Sequence, residues 1–119
     1  MQFTTAELTR IYNLLIADAS KFRTSALAAS DRSDATLLNS YAEFREVLAA
    51  EILAGRENPE TVDLSSELVL VGNLLNLSDD SADAELAGQV SATIMENDVR
   101  VLAAFRDILG ELDSAPVGG

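Results

Sequence analysis

The sequence predicts an all-α protein, an antiparallel four-helix bundle formed by a single domain over residues 1–119. Apolar residues recur at three- and four-residue steps in three long stretches, which is the spacing of one helix face. Two prolines and six glycines leave few positions for turns, so the elements are few and long. The longest apolar stripe cannot stand alone in water, so the rest of the chain must supply other helices to cover it; the stripe comprises Leu86, Val90, Ile94, Val101, Phe105, Ile108 and Leu112.

The first helix is predicted over residues 5–29. Thr4 and Glu7 have the spacing of a capping box, in which each side chain accepts a hydrogen bond from the other residue's exposed backbone N–H. One face is apolar along the whole segment, through Leu8, Ile11, Leu15, Ala19, Phe22 and Ala26.

The second helix is predicted over residues 34–54. Ser33 or Asp34 in the preceding polar turn can cap it, and Gly55 stands where a left-handed C-terminal residue is common. Because the link to the first helix is short, we expect the two to be antiparallel neighbours. The apolar stripe of the second helix is Leu37, Tyr41, Phe44, Leu48 and Ile52.

The third helix is predicted over residues 64–77, after a link that contains Asn58 and Pro59. It is apolar on nearly every face, which is typical of a helix buried in its own bundle or in a subunit interface. The run from Leu68 to Val71 could form a strand by itself, but the sequence has no second strand to pair with it.

The fourth helix is predicted over residues 81–112, after an acidic turn whose carboxylates suit the positive end of the helix dipole. Gly88 lies inside this helix and indicates either a kink or a close helix contact. Residues 113–119 are small and polar, and we expect them to form a short flexible tail.

The chain has no cysteine and no histidine. Disulfides, thiol chemistry, zinc sites of the Cys/His type, haem ligation by histidine and Ser-His or Cys-His catalysis are therefore excluded. Lys21 and Ser25 are four residues apart on the first helix, but an exposed lysine is protonated at neutral pH and is no base. We expect no enzymatic activity and no cofactor.

Twenty acidic residues oppose eight basic ones, for a net charge of -12. Nucleic acids and anionic bilayers attract the opposite sign, so neither is an expected partner. The acidic surface serves solubility, or alternatively reflects a high-salt habitat. The first ten residues lack the pattern of a signal peptide, and the apolar run 68–77 is too short to span a bilayer, so a cytoplasmic location is expected.

Two groups of carboxylates are candidates for metal binding. Asp79, Ser81, Asp83 and Glu85 alternate like the first positions of a calcium loop. However, alanine replaces the required glycine and Val90 the bidentate glutamate, so a helix cap is favoured. The second group lies near the apolar faces of three helices and gives a carboxylate-only metal site as an alternative, with the residues Asp18, Glu43, Glu46, Glu51 and Asp98. Carboxylates at the edge of such faces mostly reach water, which favours a structural role.

The order of elements resembles that of small bacterial ferritin-like four-helix bundles of unknown function. The similarity covers Leu8 to Leu112 and includes the helical hairpin, the longer link, the apolar third helix, the acidic turn, and a final helix in which Glu96-Asn97-Asp98 leads to Ala104-Phe105. This resemblance implies a ferritin-like fold. The metal-binding members use Glu-x-x-His pairs, whose nearest counterparts here are Met95 with Asp98 and Glu43 with Glu46, so their iron chemistry is not expected.

These observations predict a non-catalytic helical bundle that acts through protein–protein contact and forms homo-oligomers. The expected surface comprises an exposed part of the final helix and, on the third helix, Leu68, Val71 and Leu75. The alternative is the carboxylate-only metal protein. The two hypotheses differ in whether at least three of the five carboxylates converge inside the bundle.

Overall fold

The computed structural model describes residues 1–114, with side chains through Gly110, and this part of the chain is helical and contains no strand. The helices are α1 (Thr5–Ala28), α2 (Arg32–Gly55), α3 (Leu68–Leu77) and α4 (Ser81–Ser114). Two short 3₁₀ turns, Pro59–Thr61 and Ser65–Glu67, lie between α2 and α3. The all-α prediction is confirmed. Of the predicted tail, residues 113 and 114 belong to α4, and residues 115–119 lie outside the described residues.

The start of α1 is the predicted capping box. The Glu7 N–H donates to the Thr4 hydroxyl at 3.1 Å, and the Thr4 N–H donates to the Glu7 carboxylate at 2.8 Å. The start of α2 differs from the prediction, because the cap is Asp31, whose carboxylate accepts a hydrogen bond from the Ser33 N–H at 2.7 Å. The helix therefore begins two residues earlier than expected.

The end of α2 also differs from the prediction. Gly55 is the last residue of the helix and has no left-handed backbone conformation. A Cβ at this position would lie 2.6 Å from Cγ2 of Val62, so the glycine allows the following loop to pack against α2.

The third helix is shorter than predicted and begins at Leu68. The residues before it form a 3₁₀ turn, and the Asp63 carboxylate accepts a hydrogen bond from the Ser65 N–H at 2.9 Å. Leu64 precedes this turn and is nevertheless buried in the core. The apolar pattern at Leu64 thus indicates that the residue is buried, not that it belongs to the helix.

The two long helices α1 and α2 form a hairpin. Early residues of α1 lie beside late residues of α2: the Thr5 hydroxyl donates to the carbonyl of Arg56 at 2.8 Å. Later in α1, Phe22 contacts Tyr41, with ring centroids 5.5 Å apart. Residues 29–31 join the helices at what we call the hairpin tip.

The hydrophobic core lies at the other end of the hairpin, which α3 and the first half of α4 cover. Gly72 of α3 faces Val90 of α4, and a Cβ on this glycine would lie 3.2 Å from Cγ1 of Val90. The absence of a side chain at Gly72 lets α3 and α4 approach closely. The buried members of this core are Phe3, Leu8, Ile11, Leu15, Leu48, Ala49, Ile52, Leu64, Leu68, Val71, Leu74, Leu75, Leu86, Ala87 and Val90.

The second half of α4 leaves this core. Asp83 lies 3.7 Å from the guanidinium of Arg10, and ten residues later the Thr93 hydroxyl lies 3.5 Å from the sulfur of Met1. The helix therefore passes the start of α1 and continues away from the hairpin tip, and the longest dimension of the chain is 63 Å.

The predicted burial of the late apolar stripe is wrong for the single chain. Residues 95–110 of α4 are all exposed, among them Val101, Phe105 and Ile108, and the side chain of Leu112 lies outside the described residues. The helices thus form a bundle only around the first half of α4.

Candidate interaction surface

Residues 95–110 of α4, which we call the α4 extension, carry the largest group of exposed large apolar side chains on one stretch of helix among the described residues. Seven large apolar side chains of this segment are 44–68% exposed: Met95, Val99, Val101, Leu102, Phe105, Ile108 and Leu109. At 3.6 residues per turn, these positions occupy about 180° of the helix circumference, an arc that also contains Asp98 and Arg106. A helix that packs against one core face needs an apolar stripe of only about 100°. The face is therefore wide enough to contact two neighbouring helices.

A second exposed apolar surface lies on α2 near the hairpin tip. Leu37, Tyr41 and Phe44, which we call the hairpin stripe, are about half exposed. They continue the line of Leu48 and Ile52, which are buried in the core. The part of the predicted α2 stripe nearest the hairpin tip is thus exposed in the single chain.

An open cleft of about 430 Å³ adjoins the hairpin stripe between α1 and α2. Four of its lining residues have apolar side chains, and the full set is Ser25, Ala28, Ala29, Asp34, Leu37 and Leu38. Small alanines on one side and leucines on the other leave space for one large apolar side chain from a partner.

Contacts between α1 and α2 hold the hairpin stripe in place. Phe22 packs edge to face against Tyr41, and the guanidinium of Arg45 lies 4.4 Å from the centre of the Phe22 ring. Arg45 also pairs with the carboxylate of Asp18 and donates to the carbonyl of Tyr41 at 2.9 Å. The stripe is therefore presented by a well-connected part of the hairpin.

The negative charge of the chain is concentrated away from both apolar surfaces. Residues 18–46, which include the hairpin tip, have five carboxylates and four basic side chains, for a net charge of -1. The α4 extension has three carboxylates and two arginines and therefore also has a net charge of -1. Residues 47–94 have nine carboxylates and only Arg56 as a basic residue, for a net charge of -8. Both exposed apolar surfaces therefore lie in nearly neutral segments of a strongly acidic protein.

The structure corrects the interaction residues predicted on α3. Leu68, Val71 and Leu75 are at most 5% exposed and belong to the hydrophobic core. The exposed large apolar residues of α3 are Val69 and Leu77. Because α3 is apolar on nearly every face, its sequence pattern does not indicate which face meets the core.

The five carboxylates of the alternative metal site do not converge. Asp18 pairs with Arg45, and Glu46 pairs with Arg23 at 2.6 Å. The remaining three, Glu43, Glu51 and Asp98, are exposed. Among the described residues, no group of three or more acidic side chains has the geometry to hold a metal ion. The convergence that the metal hypothesis required is therefore missing from this part of the chain.

The acidic turn before α4 acts as a helix cap. The Asp80 carboxylate accepts a hydrogen bond from the Ala82 N–H at 2.8 Å. Asp83 is buried, and one of its oxygens accepts a hydrogen bond from the Ser78 hydroxyl at 2.6 Å. Its other oxygen has no hydrogen bond within the described residues and lies 3.7 Å from Arg10, so the charge is balanced by a long ion pair.

Comparisons with known proteins give no match. No protein-family model, curated protein or solved structure matches the chain. In the part of the chain that the structure describes, no helix is both long enough and apolar enough to cross a bilayer. Evidence for function therefore comes from the exposed surfaces themselves.

Proposed function

We propose that this protein functions without catalysis, through protein–protein contact, and that the α4 extension is its contact surface. The observation that carries the proposal is the exposure of seven large apolar side chains along one half of a single helix. Together they expose several hundred Å² of apolar surface, on the order of the largest patches of typical monomers, about 300–600 Å², which often mark interaction sites. An exposed apolar helix face of this size is typical of a surface that another protein covers.

Self-association is the form of contact that the charge distribution favours. Two copies of a chain with a net charge of -12 repel each other unless they meet where the charge is low. The α4 extension has a net charge of only -1, so a contact at this face adds little repulsion. In this proposal, the antiparallel, ferritin-like four-helix packing predicted from the sequence is completed between chains rather than within one chain.

The test is the mass of the purified protein in solution, measured by size-exclusion chromatography with light scattering at increasing concentration. We expect a mass above the 12.7 kDa of one chain, and we expect Val101→Asp to restore the single-chain mass. Ala103→Asp is the matched control, because it adds the same charge to the opposite side of the same helix turn. A single-chain mass for the unmodified protein at every concentration, or an equal effect of the two substitutions, would contradict the proposal.

A further inference from the structure

Building on the proposed function, we propose that the partner is a second copy of this chain and that the two copies dock reciprocally. The α4 extension of each copy packs on the hairpin stripe and the adjoining cleft of the other copy. The hairpin stripe is Leu37, Tyr41 and Phe44, as defined above.

The positions of the two surfaces require a second chain. The α4 extension leaves the core beside Met1, at the start of α1, whereas the hairpin stripe lies beside Phe22, toward the end of α1. Because α4 is one continuous helix, a chain cannot fold its own extension back onto its own stripe. Each copy has one surface of each kind, so a two-fold arrangement satisfies both and closes the assembly as a dimer.

The sizes of the two surfaces allow them to pack side by side. Leu37 to Phe44 spans seven helical steps, or about 10 Å, which is about half of the roughly 21 Å from Met95 to Leu109 on the extension. The apolar face of the extension is wide enough for two helices, and the hairpin tip presents α2 beside α1 with the cleft between them. Phe105 is the largest apolar side chain on the extension and the natural occupant of this cleft. Pairing two extensions with each other would cover only part of each face.

Charge and area support the same arrangement. The contact joins two segments with a net charge of only -1 each, so the docking surfaces themselves add little repulsion. Each chain contributes one extension and one stripe, which together expose on the order of 1,000 Å² of apolar surface, and a standard interface buries about 800 Å² per partner. The exposed surface is therefore sufficient for a stable dimer.

The first experiment compares dimer dissociation constants, measured by dilution, for substitutions on the hairpin. Leu37→Asp places a charge in the stripe and should raise the dissociation constant at least about 30-fold, as expected for an anchor residue. Ala50→Asp, on the opposite side of α2, is the control and should change it less than about threefold. Both positions are exposed in the single chain, so both variants should fold.

The result also separates this inference from the proposed function. If Val101→Asp dissociates the dimer and Leu37→Asp does not, the α4 extension is a contact surface but the hairpin stripe is not its partner, and the inference is wrong. If neither substitution changes the dissociation constant, both proposals are wrong.

The second experiment uses the absence of native cysteine. Ser40→Cys places a thiol at the edge of the stripe, between Leu37 and Phe44, and Val101→Cys places one on the extension. Both positions are exposed, so both variants should fold. With a short bismaleimide reagent, we expect dimer cross-links in a mixture of the two variants and only background with either variant alone. Cross-linking of Val101→Cys alone, in excess of the mixture, would show that two extensions pair with each other and would overturn the inference.

Discussion

Replacing valine by alanine at two positions of α4 distinguishes the half of the helix that the chain covers from the half that it leaves exposed. Val90 is 0% exposed and packs beside Gly72 of α3, whereas Val101 is 68% exposed on the α4 extension. The chemical change, the helix and the gain in helix propensity are the same at both positions. The difference between the two variants in the free energy of unfolding therefore depends only on how deeply each valine is buried.

The expected magnitudes follow from the two methyl groups that each substitution removes. At Val90, loss of the two buried methyl groups lowers the free energy of unfolding by about 0.8 kcal/mol each, and the remaining cavity lowers it by up to about 1 kcal/mol more. The better helix propensity of alanine raises it by about 0.5 kcal/mol. The net loss is about 2 kcal/mol. At Val101 only a small part of the burial term applies, so the stability should stay within about 0.5 kcal/mol of the unmodified chain.

Both variants are to be measured by urea unfolding, followed by circular dichroism, at a concentration where light scattering gives the single-chain mass of 12.7 kDa. A loss greater than about 1 kcal/mol for Val101→Ala would refute the reasoning, because it would place the α4 extension against its own chain. A loss below about 0.5 kcal/mol for Val90→Ala would equally refute the packing of the first half of α4 on the core.

Two further predictions concern α4 and the loop before α3. Gly88→Ala should raise the free energy of unfolding by about 1 kcal/mol, because Gly88 is exposed inside α4 and a Cβ there meets nothing within 4 Å; an unchanged or lower stability in urea would contradict this. The hydrogen bonds from the Ser65 hydroxyl and backbone N–H lower the pKa of Asp63 below its usual 3.8. Its contribution to stability should therefore be complete above about pH 5 and lost as the pH falls through the lowered pKa. The stability difference between the unmodified chain and Asp63→Asn should follow this course in a pH series of urea unfolding, and a difference independent of pH would contradict it.

The helix starts show where sequence patterns are sufficient and where they are not. The side chains of Thr4 and Glu7 each accept a hydrogen bond from the other residue's backbone N–H, so the spacing of the two residues was enough to predict the capping box. Before α2, by contrast, Asp31, Ser33 and Asp34 all have side chains that can cap a helix. In the structure, Asp31 caps α2. Which of the three residues caps the helix depends on the path of the chain after α1, and a local sequence pattern does not determine that path.

The exposure of apolar residues was predicted correctly on the final helix but not on α3, and the role of these residues in interaction stays a prediction. An exposed part of the final helix was expected, and the structure places seven exposed apolar side chains there. On α3, the apolar residues cover nearly the whole circumference, so no pattern distinguished the buried Val71 from the exposed Val69. The hairpin stripe was missed because its residues have the same spacing as the core residues that follow them.

Helix length explains why one stripe is covered at one end and exposed at the other. Phe44 and Leu48 are one turn apart on the same face of α2, yet Phe44 is 52% exposed and Leu48 only 4%. The ten residues of α3 extend about 15 Å, whereas the 24 residues of α2 extend about 36 Å, so α3 can cover less than half of the hairpin.

The same difference in length determines the course of α4. This helix begins beside Arg10, within the first half of α1, and its 34 residues extend about 50 Å toward and past the start of α1. A helix that starts there must extend beyond the hairpin, and the hairpin tip must remain uncovered at the other end. The sequence prediction already gave unequal lengths for the third and fourth helices. These lengths could have predicted that α4 extends beyond the hairpin. Apolar periodicity shows that a face requires a neighbour, but it does not show whether the neighbour belongs to the same chain. The lengths of the helices address that question, because they show that the α4 extension passes beyond the helices of its own chain.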